Sequence, residues 1–174
     1  MPELDEILLN PPPDQNGAFP KEGSVFPMLL RRAWYGLNQA FRRRVAHLNM
    51  TPDQYTVMRT LAQGSNEGLT QKQLTSRMSS DPNTVASLLD RMERADFIER
   101  KIDPNDRRAR RILLKTCGYD SFQQAKDIAV ELQREVLQSL SEESKRLFLQ
   151  ELTTIADACR EAAENSPRKS LRKD

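Results

Sequence analysis

Apolar residues recur at intervals of three or four along most of this 174-residue chain, and that spacing places them on one face of an α-helix. The pattern predicts six helices, over about 27–48, 51–64, 70–78, 81–94, 116–140 and 141–165. Two shorter runs, 97–102 and 110–115, have the composition of β-strands, and the turn sequence Asp103-Pro104-Asn105-Asp106 separates them. The sequence therefore predicts a mainly helical fold with one small β-hairpin.

Three of the predicted helices begin at capping sequences. Thr51 and Thr70 are each followed three residues later by a glutamine, which completes a capping box. Asp81-Pro82 opens the next helix, since aspartate caps well and proline fits the first helical turn. The tight Ser79-Ser80 turn lies just before that helix. A helix, a turn, a second helix and then a hairpin, in that order, form a winged helix-turn-helix.

The helix that begins at Asp81 has the amphipathic pattern of a recognition helix. The face expected to be buried carries apolar residues at helical spacing, namely Val85, Leu88, Leu89 and Met92. The opposite face is polar and mostly short, as close approach to base edges requires, and carries Asn83, Thr84, Ser87, Arg91 and Arg94. Ser79 and Ser80 could contact the DNA backbone, and the N–H groups at the helix start favour a phosphate.

The hairpin carries a concentration of arginines at its tip: Arg107, Arg108, Arg110 and Arg111. Guanidinium groups suit the narrow, electronegative minor groove of DNA, and the Asp106 carboxylate could fix the direction of one of them. The alternative is an aspartate that caps the turn beside solvent-exposed arginines. The predicted DNA-contacting residues are Ser79, Ser80, Asn83, Thr84, Ser87, Arg91, Asp106, Arg107, Arg108 and Arg110.

The distribution of charge is more informative than the net charge of +2. Between Ser24 and Pro52 there are five arginines and no acid, and the segment 99–115 has seven basic residues against three acidic ones. The first 22 residues instead hold five acids and one lysine. Concentrated positive charge is typical of surfaces that bind phosphate, although the run 42–44 could equally be a solvated helix face.

Residue types argue against several other classes. A single histidine, His47, with no glycine-rich phosphate loop and no nucleophile–base spacing, predicts that the protein is not an enzyme and has no catalytic, cofactor or metal site. Cys117 and Cys159 form no CxxC pair, so we expect neither a disulfide framework nor a zinc site, and we expect Cys159 in the core. The absence of a secretory or membrane-length apolar run predicts a soluble, cytoplasmic protein without a membrane partner.

The first helix and the last two helices carry apolar stripes that need a partner. A long amphipathic helix is stable in water only when that face is buried against another surface. These helices are therefore candidates for a helical dimerisation region, and the alternative is that they fold back on the winged domain of the same chain. A two-fold dimer would also place two recognition helices about one DNA turn apart on a palindrome.

The stretch from Asp81 to Arg94, the following Phe97-Ile98-Glu99-Arg100 and the hairpin from Asp103 to Arg111 closely resemble the MarR family of bacterial transcription regulators. The order of helices extends this resemblance to about residues 25–165. It implies a homodimer that binds double-stranded DNA, with Asp106 and Arg108 as the signature pair of the wing. It also implies, as in many relatives, a small and often aromatic effector that binds between the dimerisation and DNA-binding parts and releases the DNA.

The chain departs from the pattern of that family at three points. Asp96 stands where relatives usually have glycine after the recognition helix, and we expect it to keep the left-handed conformation at some strain. Lys115 stands where relatives commonly have threonine, which raises the question of where the next helix begins. The first helix lacks the reactive cysteine of peroxide-sensing relatives, so Cys117 and Cys159 are interpreted as ordinary residues.

The predicted organisation has four parts: a flexible N-terminal extension over 1–24, a helical dimerisation region over 25–50 and 116–165, a winged helix-turn-helix domain over 51–115, and a flexible basic tail over 166–174. Two functions remain open. One is a transcriptional regulator released by a small aromatic ligand, and the other is a winged-helix or architectural DNA-binding protein with no ligand response. The inward residues Trp34, Phe41, Tyr55 and Met58 could line an effector cleft, but we expect all four to be plain core and assign none of them to a site.

Overall fold

The computed structural model describes residues 25–104 and 106–166, so the predictions for 1–24 and for the tail beyond Ser166 lie outside the described residues. These residues form six α-helices and three strands, which confirms the mainly helical class with a β-hairpin wing. The helices are α1 Val25–Arg44, α2 Pro52–Ala62, α3 Gln71–Arg77, α4 Pro82–Arg94, α5 Thr116–Leu137 and α6 Glu142–Asn165. The strands are β1 Leu69–Thr70, β2 Ile98–Ile102 and β3 Arg110–Leu114.

The first helix differs from the prediction at both ends, since it begins earlier, at Val25, and ends at Arg44 rather than at residue 48. Ala46–Leu48 forms a separate 3-10 turn, because the backbone leaves helical geometry at Val45 and Asn49 adopts a φ of 50°. Asparagine tolerates this left-handed conformation and commonly follows the end of a helix. The 3-10 turn carries His47, whose side chain is exposed.

Strand β1 is not predicted by the sequence pattern, because it contains only Leu69 and Thr70 and therefore shows no alternation. The strand pairs antiparallel with β3, with Leu69 opposite Ile112 and Thr70 opposite Arg111. Gly68 permits this close pairing, because its φ is 80° and an added Cβ would lie 2.5 Å from the Ile112 carbonyl oxygen. Thr70 thus serves both as the end of a strand and as the N-cap of α3.

The predicted hairpin is confirmed, and it forms two-thirds of a sheet with the strand order β1-β3-β2. Strands β2 and β3 pair antiparallel over their full lengths, in the register that sets Arg100 opposite Ile112 and Ile102 opposite Arg110. Because side chains alternate across a strand, these four residues share one face of the sheet and Arg111 lies on the other face. The central strand β3 therefore fixes which basic side chains share a face.

The core of the winged region lies between α2, α3, α4 and the sheet. All four apolar residues predicted for the inner face of α4 are buried, which confirms the amphipathic pattern of that helix. They pack among the other buried apolar residues of these elements, Val57, Met58, Leu61, Leu69, Leu74, Ile98 and Ile112. Burial of such side chains is the main favourable contribution to folding.

The chain divides into two compact units, one extending to Val130 and the other beginning at Glu131. In the first unit, the interpretation of Trp34 as plain core is wrong, since 62% of this residue is exposed. In the second unit, α6 has no buried residue, and the exposed Cys159 corrects its predicted place in the core. Both errors have one cause, because an apolar stripe predicts a face that needs covering but does not say which chain covers it. None of the described helices has the length and apolar character needed to cross a membrane.

Gly118, at the start of α5, allows the helix to approach the chain just before β2. An added Cβ would lie 2.2 Å from the Phe97 carbonyl oxygen, and that oxygen accepts a hydrogen bond from the Lys115 N–H at 3.0 Å. We expect Gly118→Ala to lower the free energy of unfolding by about 1–3 kcal/mol, because backbone must move to relieve the contact. Chemical denaturation at a fixed protein concentration measures the change.

Gly36→Ala is the matched control, since nothing lies within 4 Å of a Cβ added at this helical position. It should raise the free energy of unfolding by up to about 1 kcal/mol, because alanine favours the helix over glycine. A loss at Gly118 no larger than the change at Gly36 would contradict the proposed importance of the close approach.

Candidate nucleic-acid interface

The two helices of the helix-turn-helix are joined by a turn with a positive φ. The predicted capping box of α3 is confirmed: the Thr70 N–H donates to Gln73 Oε1 at 2.8 Å, and the Gln73 N–H donates to Thr70 Oγ1 at 3.3 Å. In the turn, Ser79 has a φ of 50°, and the Ser80 N–H donates to the Thr75 carbonyl oxygen at 3.2 Å. Ser79 is exposed and Ser80 is half-buried, so Ser79 is the more accessible of the two predicted backbone contacts.

Asp81 caps α4, as predicted. Its Oδ1 accepts from the Thr84 N–H at 2.8 Å and from the Asn83 N–H at 3.0 Å. The hydrogen bond from the Thr84 side chain, and then that from the Thr84 N–H, lowers the pKa of this carboxyl below its ordinary value of 3.8. The cap corrects one expectation, because these two N–H groups are already satisfied by Asp81 and are not available to a phosphate.

The outer face of α4 presents all four predicted contact residues to solvent: Asn83, Thr84, Ser87 and Arg91. The inner face is fully packed, so the helix is held with this polar surface outward. Since short polar side chains let a helix approach base edges closely, the exposed face has the chemistry that direct readout in the major groove requires.

Asp106 holds the turn at the tip of the hairpin. Its Oδ1 accepts from the Arg108 N–H at 2.9 Å, and its carbonyl oxygen accepts from the Ala109 N–H at 2.9 Å. The carboxylate thus bonds to the backbone of Arg108, which is the turn-capping alternative, whereas the main expectation was a bond to a guanidinium. Arg107, Arg108 and Arg110 are all exposed around this turn.

Arg110 and Arg111 have different environments although they are neighbours in the sequence. Arg110 is exposed on the sheet face that also carries Arg100. The Arg111 Nε donates to Asp103 Oδ2 at 2.7 Å, and only 18% of the Arg111 side chain and 7% of the Asp103 side chain are exposed. The Arg111 Nη1 also lies 3.3 Å from Glu67 Oε2. Arg111 therefore stabilises the base of the wing, whereas Arg110 is available to a ligand.

Arg100 joins the hairpin to the recognition helix. Its Nη2 lies 2.6 Å from Asp90 Oδ1, and its Nη1 lies 2.5 Å from Glu93 Oε2. Neither this contact nor the pairing of Asp103 with Arg111 was predicted from the sequence. The only signal was the presence of isolated carboxylates among the basic residues, and a sequence alone does not show which carboxylate meets which arginine.

The two departures from the family pattern next to the sheet lie against each other. Asp96 has a φ of 63°, which confirms the expected left-handed conformation, and its carboxylate forms an ion pair with the Lys115 ammonium. The hydrogen bond that the Lys115 ammonium donates to the Asp96 carboxylate is the main reason why the pKa of Lys115 is raised. Helix α5 begins at Thr116, directly after this lysine and at the position predicted.

An aromatic cluster joins α1, α2 and α5 within the first unit. The ring centroids of Phe41 and Tyr55 are 4.8 Å apart, and those of Tyr55 and Phe122 are 5.9 Å apart. Tyr119 continues the cluster, with its centroid 6.3 Å from that of Phe122. Phe41 is buried and Tyr55 is half-buried, and burial raises the pKa of the Tyr55 hydroxyl. Of the four candidate cleft walls, Phe41 and Tyr55 belong to this cluster.

The fold and the exposed face define a protein of the winged helix-turn-helix class. The sequence model of the MarR family matches residues 50–109. The transcriptional regulator HosA of Escherichia coli O111:H- is 31% identical over 135 residues, which cover 75% of this chain and 98% of HosA. HosA of the O127:H6 strain E2348/69 is 32% identical over 127 residues, covering 70% and 93% of the two chains. The chain belongs to the MarR family.

Solved structures agree with this fold. A Staphylococcus aureus MepR–DNA complex is similar with a TM-score of 0.73 and 24% identity, covering 78% of this chain and 99% of MepR. The repressor CouR bound to a 23-mer DNA duplex has a TM-score of 0.69 and 24% identity, covering 76% and 92% of the two chains. At this level of identity the comparison shows a shared fold.

The cap of α4 gives a pH prediction. Asp81→Ala should lower the melting temperature at neutral pH, because α4 loses its N-cap, whereas Asp81→Asn keeps a good cap without the charge. The pKa of Asp81 is lowered by folding, so the contribution of its charge to stability is complete above about pH 5 and is lost as the pH falls through the folded-state pKa, below 3.8. Thermal unfolding of the wild type and Asp81→Asn across acidic pH checks this.

The stability difference between wild type and Asp81→Asn should shrink as the solution is acidified. A difference that did not change as the pH falls below 3.8 would contradict the assignment, because the charge of the Asp81 carboxylate is progressively lost there.

Proposed function

We propose that this MarR-family regulator binds a palindromic DNA operator as a homodimer, with α4 in the major groove and the wing against the adjacent minor groove. The observation that carries the proposal is the accessible pair of surfaces described above: a polar outer face on α4 and unpaired arginines at the wing. These are the two surfaces that a winged helix-turn-helix uses on DNA. The DNA complexes of the structurally similar MepR and CouR support the same use of the fold.

The proposed DNA contacts remain the ten residues that the sequence predicted. Asn83, Thr84, Ser87 and Arg91 would reach base edges, and Ser79 and Ser80 would contact the DNA backbone. Arg107, Arg108 and Arg110 would contact the minor groove and its phosphates. Asp106 would act indirectly, because its carboxylate fixes the turn that carries Arg108. Arg111 is left out of the interface, since its guanidinium is already engaged by Asp103.

The proposed dimer interface uses the terminal helices. In the single chain α1 exposes Leu30, Trp34 and Leu37, and α6 exposes Leu147, Phe148, Leu152 and Ile155. Apolar faces of this length do not remain exposed in a stable soluble protein, and a second copy of the chain is the proposed occupant. The resemblance to a family of homodimers supports this choice over a fold-back onto the same chain.

We propose the aromatic cluster around Tyr55 as the place where a small aromatic ligand would bind and release the DNA. The rings of Phe41 and Phe122 flank a tyrosine that is only half-buried, so an apolar surface lies beside an available hydroxyl group. This combination is typical of sites for small aromatic molecules. The alternative is an architectural DNA-binding protein without a ligand response, and in either case the proposed place of action is the cytoplasm.

Selection of genomic fragments by the purified protein tests the function. A regulator should enrich a small set of fragments that share a palindrome, and footprinting should protect two half-sites about one DNA turn apart. Release of these fragments by a member of a panel of small aromatic acids would support the ligand response. Uniform affinity for any duplex would instead favour the architectural alternative, and no affinity in dilute buffer would contradict DNA binding.

The two faces of the hairpin predict different effects for its arginines. Arg108→Ala or Arg110→Ala should weaken DNA binding and reduce the slope of log affinity against log salt by about one unit or less for each lost phosphate contact. Neither change should alter the melting temperature, because both side chains are exposed. Binding titrations over a range of salt concentrations and thermal unfolding measure the two effects.

Arg111→Ala is the contrasting variant, because it removes the guanidinium whose Nε lies 2.7 Å from Oδ2 of the buried Asp103 carboxylate. It should lower the melting temperature clearly, since removing one partner of a buried ion pair is strongly destabilising. Equal effects of Arg110→Ala and Arg111→Ala on both measurements would contradict this division of roles.

The proposed dimer predicts that a charge on the apolar face of α6 will separate the subunits. Leu152→Glu should weaken self-association by roughly tenfold or more, because the interface would bury an unpaired carboxylate. Sedimentation velocity at micromolar concentration measures the change in subunit state. Gln150→Glu is the control, since it adds the same charge on the opposite side of the helix, and an equal loss of dimer in both variants would contradict the assignment of the face.

A further inference from the structure

Arg100 is the only residue of the described wing strands that bonds to the recognition helix through its side chain. Asp90 and Glu93 are three positions apart on α4 and so lie on the same side of the helix. One guanidinium contacts both, with N–O distances of 2.6 and 2.5 Å. The planar fork of arginine allows this double contact, whereas the ammonium of lysine is a single point of charge.

Stability alone does not account for this arrangement. The side chains of Arg100, Asp90 and Glu93 are 24%, 59% and 40% exposed, and ion pairs with this exposure contribute little to folding. Two carboxylates in the C-terminal half of a helix are also unfavourable with respect to the helix dipole. They lie, in addition, on the helix that would approach the DNA phosphates. The contact is therefore better explained by the geometry that it imposes.

We infer that Arg100 is a positioning residue that fixes the orientation of α4 relative to the wing, so that the recognition helix and Arg110 meet the same DNA duplex in register. The inference rests on the proposed DNA-binding function. Arg100 stands on the sheet face that carries Arg110, two residues before the end of β2. Its bonds to α4 thus join the polar face of the helix to the strand pair that carries Arg110.

The two possible roles of Arg100 predict different effects on DNA binding when its carboxylate partners are replaced. If Arg100 were a direct phosphate contact, replacing Asp90 and Glu93 by amides would free it and remove negative charge from a surface that faces a polyanion. Both effects would strengthen DNA binding. If Arg100 acts by positioning, the same replacement loosens the helix relative to the wing and lowers the discrimination between correct and scrambled DNA.

The test compares the wild type with Arg100→Gln, with Asp90→Asn/Glu93→Gln and with the triple variant. The measured quantities are the affinities for a selected palindrome and for a scrambled duplex at several salt concentrations. Each variant is measured at the same number of degrees below its own melting temperature. We expect all three variants to lose about tenfold in the ratio of the two affinities, and the triple variant to lose no more than the double variant. Arg100→Lys should give an intermediate ratio.

Lys101→Gln is the matched control, because it removes one positive charge from the next residue, on the opposite face of β2. It should leave the affinity ratio unchanged. Tighter binding by Asp90→Asn/Glu93→Gln with an unchanged ratio would overturn the inference, as would an equal loss of the ratio in Lys101→Gln. A wild type that fails to discriminate between the two duplexes would instead overturn the proposed function, and the inference with it.

Discussion

The register of β3 between its two neighbours is the constraint on which the candidate interface depends. Ile112 is 1% exposed and lies opposite Leu69 on β1 and opposite Arg100 on β2. A slip of one residue would move every side chain of β3 to the other face of the sheet. Arg111 would then take the face of Arg110, and the pair that stabilises the base of the wing would be lost. Burial of Ile112, and the close contact at Gly68, exclude such a slip.

What could be predicted from the sequence depended on residues that lie close together in the chain. The caps at Thr51, Thr70 and Asp81 each involve partners within three residues, and all three form as expected. The different roles of Arg100 and Arg111 could not be predicted, because their carboxylate partners are more distant in the sequence. The partners of Arg100 are in helix α4, whereas those of Arg111 are in the loop before β1 and on the other side of the hairpin. The sequence likewise predicts that the apolar faces of α1 and α6 need to be buried, but no pattern within one chain specifies the surface that buries them.

The turn after the recognition helix shows how a local departure is accommodated. The left-handed conformation costs free energy for any residue other than glycine, and this cost is smaller for aspartate than for most residues. The Lys115 ammonium pairs with the Asp96 carboxylate, and the Lys115 N–H donates to the Phe97 carbonyl oxygen at 3.0 Å. One lysine therefore ties both the side chain and the backbone of this turn to the end of β3. The turn between α4 and β2 therefore keeps its left-handed backbone conformation, although the glycine common in the family is absent.

Ion pairs with neighbouring carboxylates determine which basic residues of the segment 99–115 remain available to DNA. Of the seven basic residues in the segment 99–115, Arg100, Lys101, Arg111 and Lys115 each form an ion pair with an aspartate or glutamate. Among residues 25–104 and 106–166, no carboxylate pairs with Arg107, Arg108 or Arg110. The electrostatic contribution of the wing therefore depends on three arginines at its tip, because the others are already neutralised by the fold. Residue type alone does not show which arginines are paired and which are available. The strand register and the positions of Asp90, Glu93 and Asp103 determine this.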